Sequence, residues 1–227
     1  MNILITGASR GLGDALSRGL GRAGDSLWLV SRSPCPSLSL ADGVMRHWLE
    51  ADLSGAGVHA QLAASLPPVL DAVIHNAGIW ESTAFSSRYN FEQISETETR
   101  AVLEVNLIAP ILLTQALLPK LRGSSNPKIV LIGSINGLEN ASMPEVAYSA
   151  SKFGLRGVAH ALREHLRSEQ IGVTVLNPGS IAWDGNLERE DLILPADIVR
   201  LVRAVLETSR RTVVKEIDLP AMQDGQV

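Results

Sequence analysis

Residues 2–13 read NILITGASRGLG, and this stretch decides the fold. Asn2–Thr6 is a short apolar run that ends at a glycine, which is typical of a buried strand. Glycines follow at positions 7, 11 and 13, and an apolar stripe at helical spacing runs from Leu12 to Ala23. A strand, a glycine-rich turn and a helix N-terminus make an anion site, because free backbone N–H groups and the helix dipole point at the ligand. The pattern favours a dinucleotide-binding turn, and the alternative is a tight turn that serves close packing alone.

The alternation of strand and helix continues along the chain. Six further apolar runs are predicted as strands, at residues 27–30, 44–51, 72–75, 129–132, 173–176 and 212–219. Helical periodicity lies between them; the first helix is predicted to end near Gly24, and a long helix to cover residues 94–121. Such alternation requires right-handed crossovers and a parallel sheet. We therefore predict the α/β class, as a single doubly wound Rossmann-type domain over residues 1–227. Its sheet is expected to be mostly parallel, with helices on both faces and ligands at the carboxyl ends of the strands.

Composition excludes several other classes of protein. The chain has 227 residues and a formal net charge of −4, which argues against nucleic-acid binding through a broad basic surface. Cys35 is the only cysteine, so disulfide frameworks and cysteine zinc clusters are excluded. The longest uncharged apolar stretch, Leu107–Leu118, is shorter than the roughly 20 residues that span a bilayer. With no secretory signal at the N-terminus, we expect no membrane partner and a cytoplasmic location.

The glycine turn also resembles the first motif of the short-chain dehydrogenase/reductase family in its compact form. That motif is Thr-Gly-x-x-x-Gly-x-Gly, and it is matched by Thr6, Gly7, Gly11 and Gly13. The resemblance continues to the predicted closing strand. It implies a Rossmann-type fold, a nicotinamide cofactor and the transfer of hydride between that cofactor and a small-molecule carbonyl or alcohol.

The end of the second predicted strand indicates which nicotinamide cofactor binds. In dinucleotide folds, an acidic residue about 20 positions beyond the glycine turn binds the ribose 2′-hydroxyl. Ser31 stands there instead, Arg32 follows it, and Arg10 lies inside the glycine turn. Arginine can pair with a 2′-phosphate, whereas each arginine by itself is also an ordinary surface charge. Together these residues favour NADP(H).

One pair of residues has the spacing that proton transfer to an alkoxide requires. A tyrosine with a pKa of about 10 is a poor base near neutrality, and a lysine ammonium one helical turn away lowers that pKa. Tyr148 and Lys152 are four residues apart on a predicted helix, so they share one face. They match the family's Tyr-x-x-x-Lys motif, which implies that Tyr148 exchanges the proton. Lys152 is expected to lower the pKa of Tyr148 and to bind the nicotinamide ribose.

The resemblance implies two further catalytic residues. Ser134, at the end of the fifth predicted strand, would orient the carbonyl and stabilise developing charge. Asn106, in the long middle helix, would interrupt the helix ladder and hold a water that links the lysine to solvent; the alternative is an ordinary buried amide. The separation of Ser134 from Tyr148 is 14 residues, one more than we expect for many members.

The remaining matches concern the cofactor. Asp52-Leu53 corresponds to a pair beside the adenine, Asn76-Ala77-Gly78 to a motif that supports the sheet and the adenosine ribose, and the motif around Pro178-Gly179 to a backbone contact with the nicotinamide. The predicted cofactor-binding residues are Gly7, Ser9, Arg10, Gly11, Leu12, Gly13, Ser31, Arg32, Asp52, Leu53, Asn76, Ala77, Gly78, Tyr148, Lys152, Pro178, Gly179 and Ile181.

Substrate contacts are expected from the loops after the fourth, fifth and sixth strands. Trp80, Asn136, Met143 and Trp183 are candidates by position, and the two tryptophans suggest an apolar or aromatic substrate unless they only fill the core. Trp183 stands where many members carry a threonine, which removes a hydroxyl contact to the cofactor.

Two alternatives and one assembly prediction accompany this interpretation. A redox sensor or scaffold could bind NADP(H) without turnover, although such proteins commonly lose the tyrosine or lysine. A flavodoxin-like module would not need the Ser134, Tyr148 and Lys152 set. The apolar helix at residues 94–121 and the helix after Tyr148 resemble the family's interface helices, so we expect a homodimer or homotetramer.

Overall fold

The computed structural model describes residues 1–139, 143–183 and 185–223. Its centre is one seven-stranded sheet of order β3-β2-β1-β4-β5-β6-β7, in which every neighbouring pair is parallel. The strands are β1 Asn2–Thr6, β2 Ser26–Ser31, β3 Met45–Glu50, β4 Ala72–His75, β5 Lys128–Ile132, β6 Gly172–Pro178 and β7 Glu216–Leu219. The strand order reverses direction between β1 and β4, and that is where doubly wound folds bind their ligands.

Helices cover both faces of the sheet. They are α1 Gly11–Gly19, α2 Val58–Ser65, α3 Glu96–Leu103, α4 Ala109–Leu121, α5 Val146–His165 and α6 Pro195–Glu207. One core cluster joins α1 and α6 to one face, and a second joins α2, α4 and α5 to the other. Strand side chains alternate between the two clusters: Ile3 and Ile5 pack in the first and Leu4 in the second. The predicted doubly wound Rossmann-type fold is confirmed.

Two predicted boundaries are wrong. The first helix ends at Gly19 rather than near Gly24, and Gly24 lies in the following turn with φ +90°. The last strand covers Glu216–Leu219 and not residues 212–219, because its pairing with β6 begins at Glu216 opposite Val175. The single-domain prediction for residues 1–227 stays a prediction, and residues 140–142, 184 and 224–227 lie outside those described.

The predicted long middle helix contains a π turn. Glu104–Ile108 is π-helical and joins α3 directly to α4, so the helix is continuous from Glu96 to Leu121. Single π turns inside α-helices are often found at functional sites. The expectation that Asn106 lies at an interruption of the helix ladder is confirmed.

This continuous helix is more apolar than the sequence estimate allowed. Its 26 residues include an 18-residue window of mean hydropathy 1.8, so by length and composition it could cross a membrane. The sequence analysis compared only Leu107–Leu118 with the length that spans a bilayer, and that segment is shorter than the apolar part of the helix. Of that window, 39% is buried within the fold, where Leu113, Leu117 and Leu121 are fully enclosed. A core helix of this kind has the same composition as a spanning one, so composition does not separate the two.

Two of the three glycines in the turn after β1, Gly7 and Gly13, are packed too tightly for a side chain. A Cβ added at Gly13 would lie 2.0 Å from the carbonyl oxygen of Gly7, and one at Gly7 would lie 2.7 Å from the Cα of Ala77. Gly7 also has φ +68°, a conformation that glycine adopts without strain. These glycines therefore bring the first turn of α1 against the end of β4.

We expect Gly13→Ala to lower the free energy of unfolding by about 1–3 kcal/mol, because the new methyl group clashes with backbone that cannot move aside. Urea unfolding followed by circular dichroism measures this change. Gly157→Ala is the matched control, since a Cβ there meets nothing within 4 Å and lies on a helix. Equal stability of Gly13→Ala and the unchanged protein would contradict the packing argument.

Candidate active site

A cavity of about 930 Å³ lies over the carboxyl ends of the central strands. It brings together the segments that directly follow β1, β2, β3, β4, β5 and β6. Every residue of the predicted cofactor set lines it, and so do Ser134, Asn136, Trp80, Met143 and Trp183. Asn106 is the exception among the predicted site residues, because it lies behind the cavity wall.

The turn after β1 is fastened to the turn after β4 by side-chain hydrogen bonds. The Thr6 hydroxyl accepts from the backbone N–H groups of Asn76 and Ala77, at 3.0 Å each. In return, the Asn76 amide donates to the carbonyl oxygens of Thr6 and Gly7, at 3.0 and 3.2 Å. The Asn76 side chain therefore binds the end of β1 and the glycine turn and supports the sheet, as the resemblance implied.

The first turn of α1 is open to a ligand. Its N-cap residue, Arg10, makes no side-chain cap, and Gly11, Leu12 and Gly13 line the cavity. The first N–H groups of a helix have no partner within the helix, so they are available to an anion.

Two cations border the same part of the cavity. Arg10 and Arg32 are exposed, and within the described residues neither side chain has a hydrogen bond or an ion pair. The Ser31 hydroxyl donates to the Ser33 carbonyl oxygen at 2.6 Å and accepts from the Trp48 indole at 3.1 Å, and its binding to the cofactor stays a prediction. Arg32 is thus the better-placed of the two neighbours to meet a phosphate.

Asp52 contributes a carboxylate to the rim of the cavity. Hydrogen bonds from the Ser54 hydroxyl and backbone N–H lower its pKa, and the charge of Arg32 lowers it further. Asp52 therefore stays ionised and shapes the loop after β3, beside its buried neighbour Leu53.

The π turn places the Asn106 amide against the loop after β4. Its nitrogen donates to the Ile79 carbonyl oxygen at 2.8 Å and its oxygen accepts from the Ile79 N–H at 2.9 Å. The nitrogen also lies 3.1 Å from the Ser151 hydroxyl on α5. The amide thus joins three segments of the site. Its oxygen and Lys152 Nζ both lie near Gly78.

Tyr148, Lys152 and Ser134 meet in the cavity although they come from two segments. Lys152 is buried, and its Nζ donates to the Ile132 carbonyl oxygen at 3.0 Å and lies 5.4 Å from the centre of the Tyr148 ring. Ser134 also acts on the Tyr148 phenol, whose pKa it lowers. The extra residue between Ser134 and Tyr148 does not separate the pair.

Burial controls the ionisation of this pair. It lowers the pKa of Lys152 to about 8. Burial also raises the pKa of Tyr148. Ser134 lowers this pKa in part, and the charges of Glu145 and Glu81 raise it further. The expected lowering of the Tyr148 pKa is therefore wrong for the protein by itself, because low-dielectric surroundings disfavour both charged forms.

Aromatic rings border the Tyr148 side of the cavity. Phe85 meets the Tyr148 ring edge to face at 5.3 Å, and Trp80 meets Phe85 at 5.7 Å and Tyr148 at 6.4 Å. Trp80, Phe85 and Trp183 are each about half exposed or more. Trp80 and Trp183 were predicted from position, but Phe85 was missed because nothing in its local sequence ties it to Tyr148.

His75 and Cys35 lie in the packed interior of the fold. The His75 ring is buried and lies 2.9 Å from the Thr114 hydroxyl. Burial lowers its pKa to about 3, so it is neutral and inside the core. Cys35 is buried in the loop after β2, where burial raises the pKa of its thiol.

The cavity fits a nicotinamide dinucleotide. The turn after β1 leaves no room for a Cβ at Gly7 or Gly13, and the first turn of α1 is uncapped. Arg10 and Arg32, which have no side-chain partner among the described residues, lie beside it. These features provide close backbone approach, N–H donors and positive charge for phosphate groups.

Comparison with known proteins identifies relatives along most of the chain. The family model described as short chain dehydrogenase matches residues 1–191. An oxidoreductase of Mycobacterium tuberculosis, Rv0945, is 27% identical over 219 residues, which cover 92% of this chain and 84% of that protein. The rhamnolipids biosynthesis 3-oxoacyl-[acyl-carrier-protein] reductase of Pseudomonas aeruginosa is 31% identical over 187 residues, which cover 78% of this chain and 71% of the reductase.

Solved structures agree with the fold. A metagenomic short-chain oxidoreductase in complex with NADP has a TM-score of 0.82 and 29% identity, and the match covers 98% of each chain. Neighbours below 25% identity include both NADP and NAD complexes and show the fold alone. The flavodoxin-like alternative is wrong, because the family match covers most of the chain. The chain belongs to the short-chain dehydrogenase/reductase family of oxidoreductases.

Proposed function

We propose that this oxidoreductase uses NADP(H) to reduce a small-molecule carbonyl to an alcohol, or to run the reverse reaction. One observation carries the proposal: Tyr148, Lys152 and Ser134 converge in the cavity that also holds the open glycine turn. Proteins that only sense or carry a nucleotide do not need a proton donor there. The reductase and oxidoreductase names of the relatives support an enzyme over a redox sensor or scaffold.

The bound cofactor would supply or accept the hydride, and the chain's own residues would manage the proton. When hydride reaches the carbonyl carbon, the oxygen becomes negatively charged and takes the proton of the Tyr148 phenol. The Ser134 hydroxyl would hold the carbonyl oxygen and stabilise that charge. Lys152 would bind the nicotinamide ribose and favour the phenolate that remains, and Asn106 would support the path that restores the proton.

The preference for NADP(H) rests on charge near the second strand. Arg32 and Arg10 are free to pair with a 2′-phosphate, whereas Ser31, in the usual place of the acidic residue, cannot repel one. Asp52 is the nearest carboxylate at the rim, and it is held by Ser54. The predicted cofactor residues from Gly7 to Ile181 would bind through backbone N–H groups at α1 and through these side chains.

Tyr148→Phe is expected to reduce NADPH-dependent turnover by about 100-fold or more, because it removes the general acid. The phenylalanine ring keeps the contacts with Trp80 and Phe85, so cofactor binding should persist. Turnover is followed by NADPH absorbance against ketones, diketones, quinones and acyl thioesters, and binding by NADPH fluorescence. Full turnover in the variant would disprove the mechanism. Tight NADPH binding without turnover on any substrate would instead favour the sensor.

Arg32→Ala is expected to weaken the preference for NADPH, which is kcat/KM with NADPH divided by kcat/KM with NADH. The ratio should fall by about tenfold or more, because the variant loses one charge-assisted hydrogen bond to the 2′-phosphate. Arg211→Ala is the control, because Arg211 is exposed and lies outside this cavity. Steady-state kinetics with both cofactors gives the ratios. An unchanged ratio in Arg32→Ala would show that the 2′-phosphate is recognised elsewhere.

We also propose that the chain forms a homodimer or homotetramer through its long helices. Ile108, Ile111 and Leu112 on the middle helix and Val146 and Phe153 on α5 are exposed. Apolar side chains grouped on helix faces indicate an interface, and a second copy of the chain would present the same helices.

Ile111→Glu is expected to shift the chain to monomers, because it would bury a carboxylate without a partner in the interface. Light scattering at micromolar concentration measures the molar mass. Leu38→Glu is the matched control, since Leu38 is an exposed leucine in the loop after β2. A monomer in the unchanged protein would contradict this proposal.

A further inference from the structure

Aromatic side chains are concentrated at the candidate active site. The chain has four tryptophans, two tyrosines and three phenylalanines, and four of these nine residues, Trp80, Phe85, Tyr148 and Trp183, line the cavity. Trp80, Phe85 and Trp183 are 53%, 48% and 62% exposed, so the core-filling alternative is wrong for the two tryptophans. Pockets for small molecules are commonly lined by aromatic rings that keep such open surface for a ligand.

Three of these rings stand nearly perpendicular to one another. Phe85 and Tyr148 have ring centres 5.3 Å apart and an interplanar angle of 89°. Trp80 lies 5.7 Å from Phe85 at 70° and 6.4 Å from Tyr148 at 85°. We call Trp80, Phe85 and Tyr148 the aromatic corner. Each ring places its positive edge toward the negative face of a neighbour, which fixes the tilt of all three.

The loop that carries two rings of the aromatic corner is fastened to the helix that carries the third. Glu81 Oε1 accepts from the N–H groups of Ala147 and Tyr148, at 3.0 and 3.4 Å, so Glu81 caps the first turn of α5. The Tyr89 hydroxyl accepts from the N–H of Val146 at 2.9 Å. The loop after β4 and the start of α5 therefore hold the aromatic corner together before any ligand binds.

Phe85 is held in an uncommon backbone conformation. Its φ is +58°, a region that residues other than glycine seldom occupy. Its N–H donates to Glu145 Oε1 at 2.8 Å, and Glu145 is buried immediately before α5. Strained backbone persists only where its surroundings hold it, and it is concentrated at functional sites. The hydrogen bond to Glu145 thus fixes the residue whose ring meets Tyr148.

The aromatic corner suits an aryl group better than a saturated ring of similar size. Both kinds of group gain free energy when they bury apolar surface. Only an aryl ring also has the charge distribution that edge-to-face and offset-stacked contacts require. Because Tyr148 is one of the three rings, an aryl group bound there lies next to the phenol that would protonate the substrate.

We propose that the aromatic corner selects substrates that carry an aryl group close to the reacting carbonyl. Phe85 is a specificity-determining residue, and Glu145 is the residue that positions it. The carbonyl oxygen would meet Tyr148 and Ser134 while the aryl ring packs against Phe85 and Trp80. This inference rests on the proposed function and names the substrate class of the same site.

The test compares two ketones that differ only in the saturation of one ring, phenylacetone and cyclohexylacetone. A methylene group separates ring from carbonyl in each, so the two carbonyls have similar intrinsic reactivity. We expect kcat/KM with NADPH to be about fivefold higher for phenylacetone, the factor that one aromatic pair contributes beyond buried area.

Phe85→Leu keeps an apolar side chain and removes the ring. It should lower the ratio of the two kcat/KM values to about two or less, by reducing kcat/KM for phenylacetone and not for cyclohexylacetone. Phe91→Leu is the matched control, since Phe91 is 58% exposed and is not among the described residues that line the cavity. It should leave the ratio unchanged.

Glu145 is tested by a pair of variants. Glu145→Ala removes the oxygen that binds the Phe85 N–H, so it should lower the ratio as Phe85→Leu does. Glu145→Gln keeps an acceptor oxygen and should retain the preference for phenylacetone. A general loss of structure would instead lower kcat/KM for both ketones alike. Circular dichroism and thermal unfolding establish that each variant folds.

Binding is measured separately from turnover, with the alcohols 1-phenyl-2-propanol and 1-cyclohexyl-2-propanol. Titration calorimetry is run on the full chain, free and saturated with NADPH, because a reduced cofactor and an alcohol do not react. We expect the aryl alcohol to bind about fivefold more tightly than the cyclohexyl alcohol in the unchanged protein, and this difference to shrink in Phe85→Leu.

The outcomes separate this inference from the proposed function. Equal kcat/KM for the two ketones, or equal affinity for the two alcohols, would overturn the inference while turnover itself upheld the proposed function. A fall in molar mass of Phe85→Leu in light scattering would assign these rings to an interface between copies and would also overturn it. Aryl-selective binding without turnover of any carbonyl would support the aromatic corner and count against the proposed function.

Discussion

The contact between the turn after β1 and the turn after β4 is the constraint on which the rest of the structure depends. Two strands that are neighbours in the sheet end at the same edge, and their turns touch backbone to backbone at Gly7 and Ala77. The Thr6 hydroxyl and the Asn76 amide fasten this contact in both directions. Because Gly7 and Gly13 have no side chains, α1 starts against the sheet with its first N–H groups open. The cavity, and the cofactor-binding surface proposed in it, follow from that arrangement.

A second set of contacts holds the loop after β4 and the first turn of α5 beside that surface. The π turn between α3 and α4 contains Asn106, whose buried amide binds both backbone polar groups of Ile79 and reaches Ser151 on α5. Glu81 and Glu145 then join the following loop to the first turn of α5. The same loop carries Trp80 and Phe85, whose rings meet that of Tyr148 edge to face. Most of these polar groups are buried, and buried hydrogen bonds are costly to break, which makes the geometry specific.

Sequence patterns predicted the parts of the site that depend on local spacing. The glycine turn needs a fixed sequence of small residues, and the Tyr148–Lys152 pair needs one helical turn, so both can be recognised without coordinates. Ser31 shows the limit of such reasoning: its position along the chain predicted a cofactor contact, but did not reveal that its hydroxyl is bound by Ser33 and Trp48. The pKa of Tyr148 is a second case, because proximity to Lys152 predicted a lowering and burial raises it.

Local sequence patterns alone predicted the order of strands and helices, the glycine turn and the spacing of Tyr148 and Lys152. All three arise from interactions between residues close in the chain, which leave a periodic or spaced pattern of residue types. The packing of distant segments decided that Glu81 caps α5, that Phe85 lies against Tyr148, and that the Arg32 side chain has no hydrogen bond or ion pair among the described residues. None of these contacts has a signature in local sequence. The fold class is thus a property of the chain's periodicity, whereas the raised pKa of Tyr148 is a property of its burial among the packed loops.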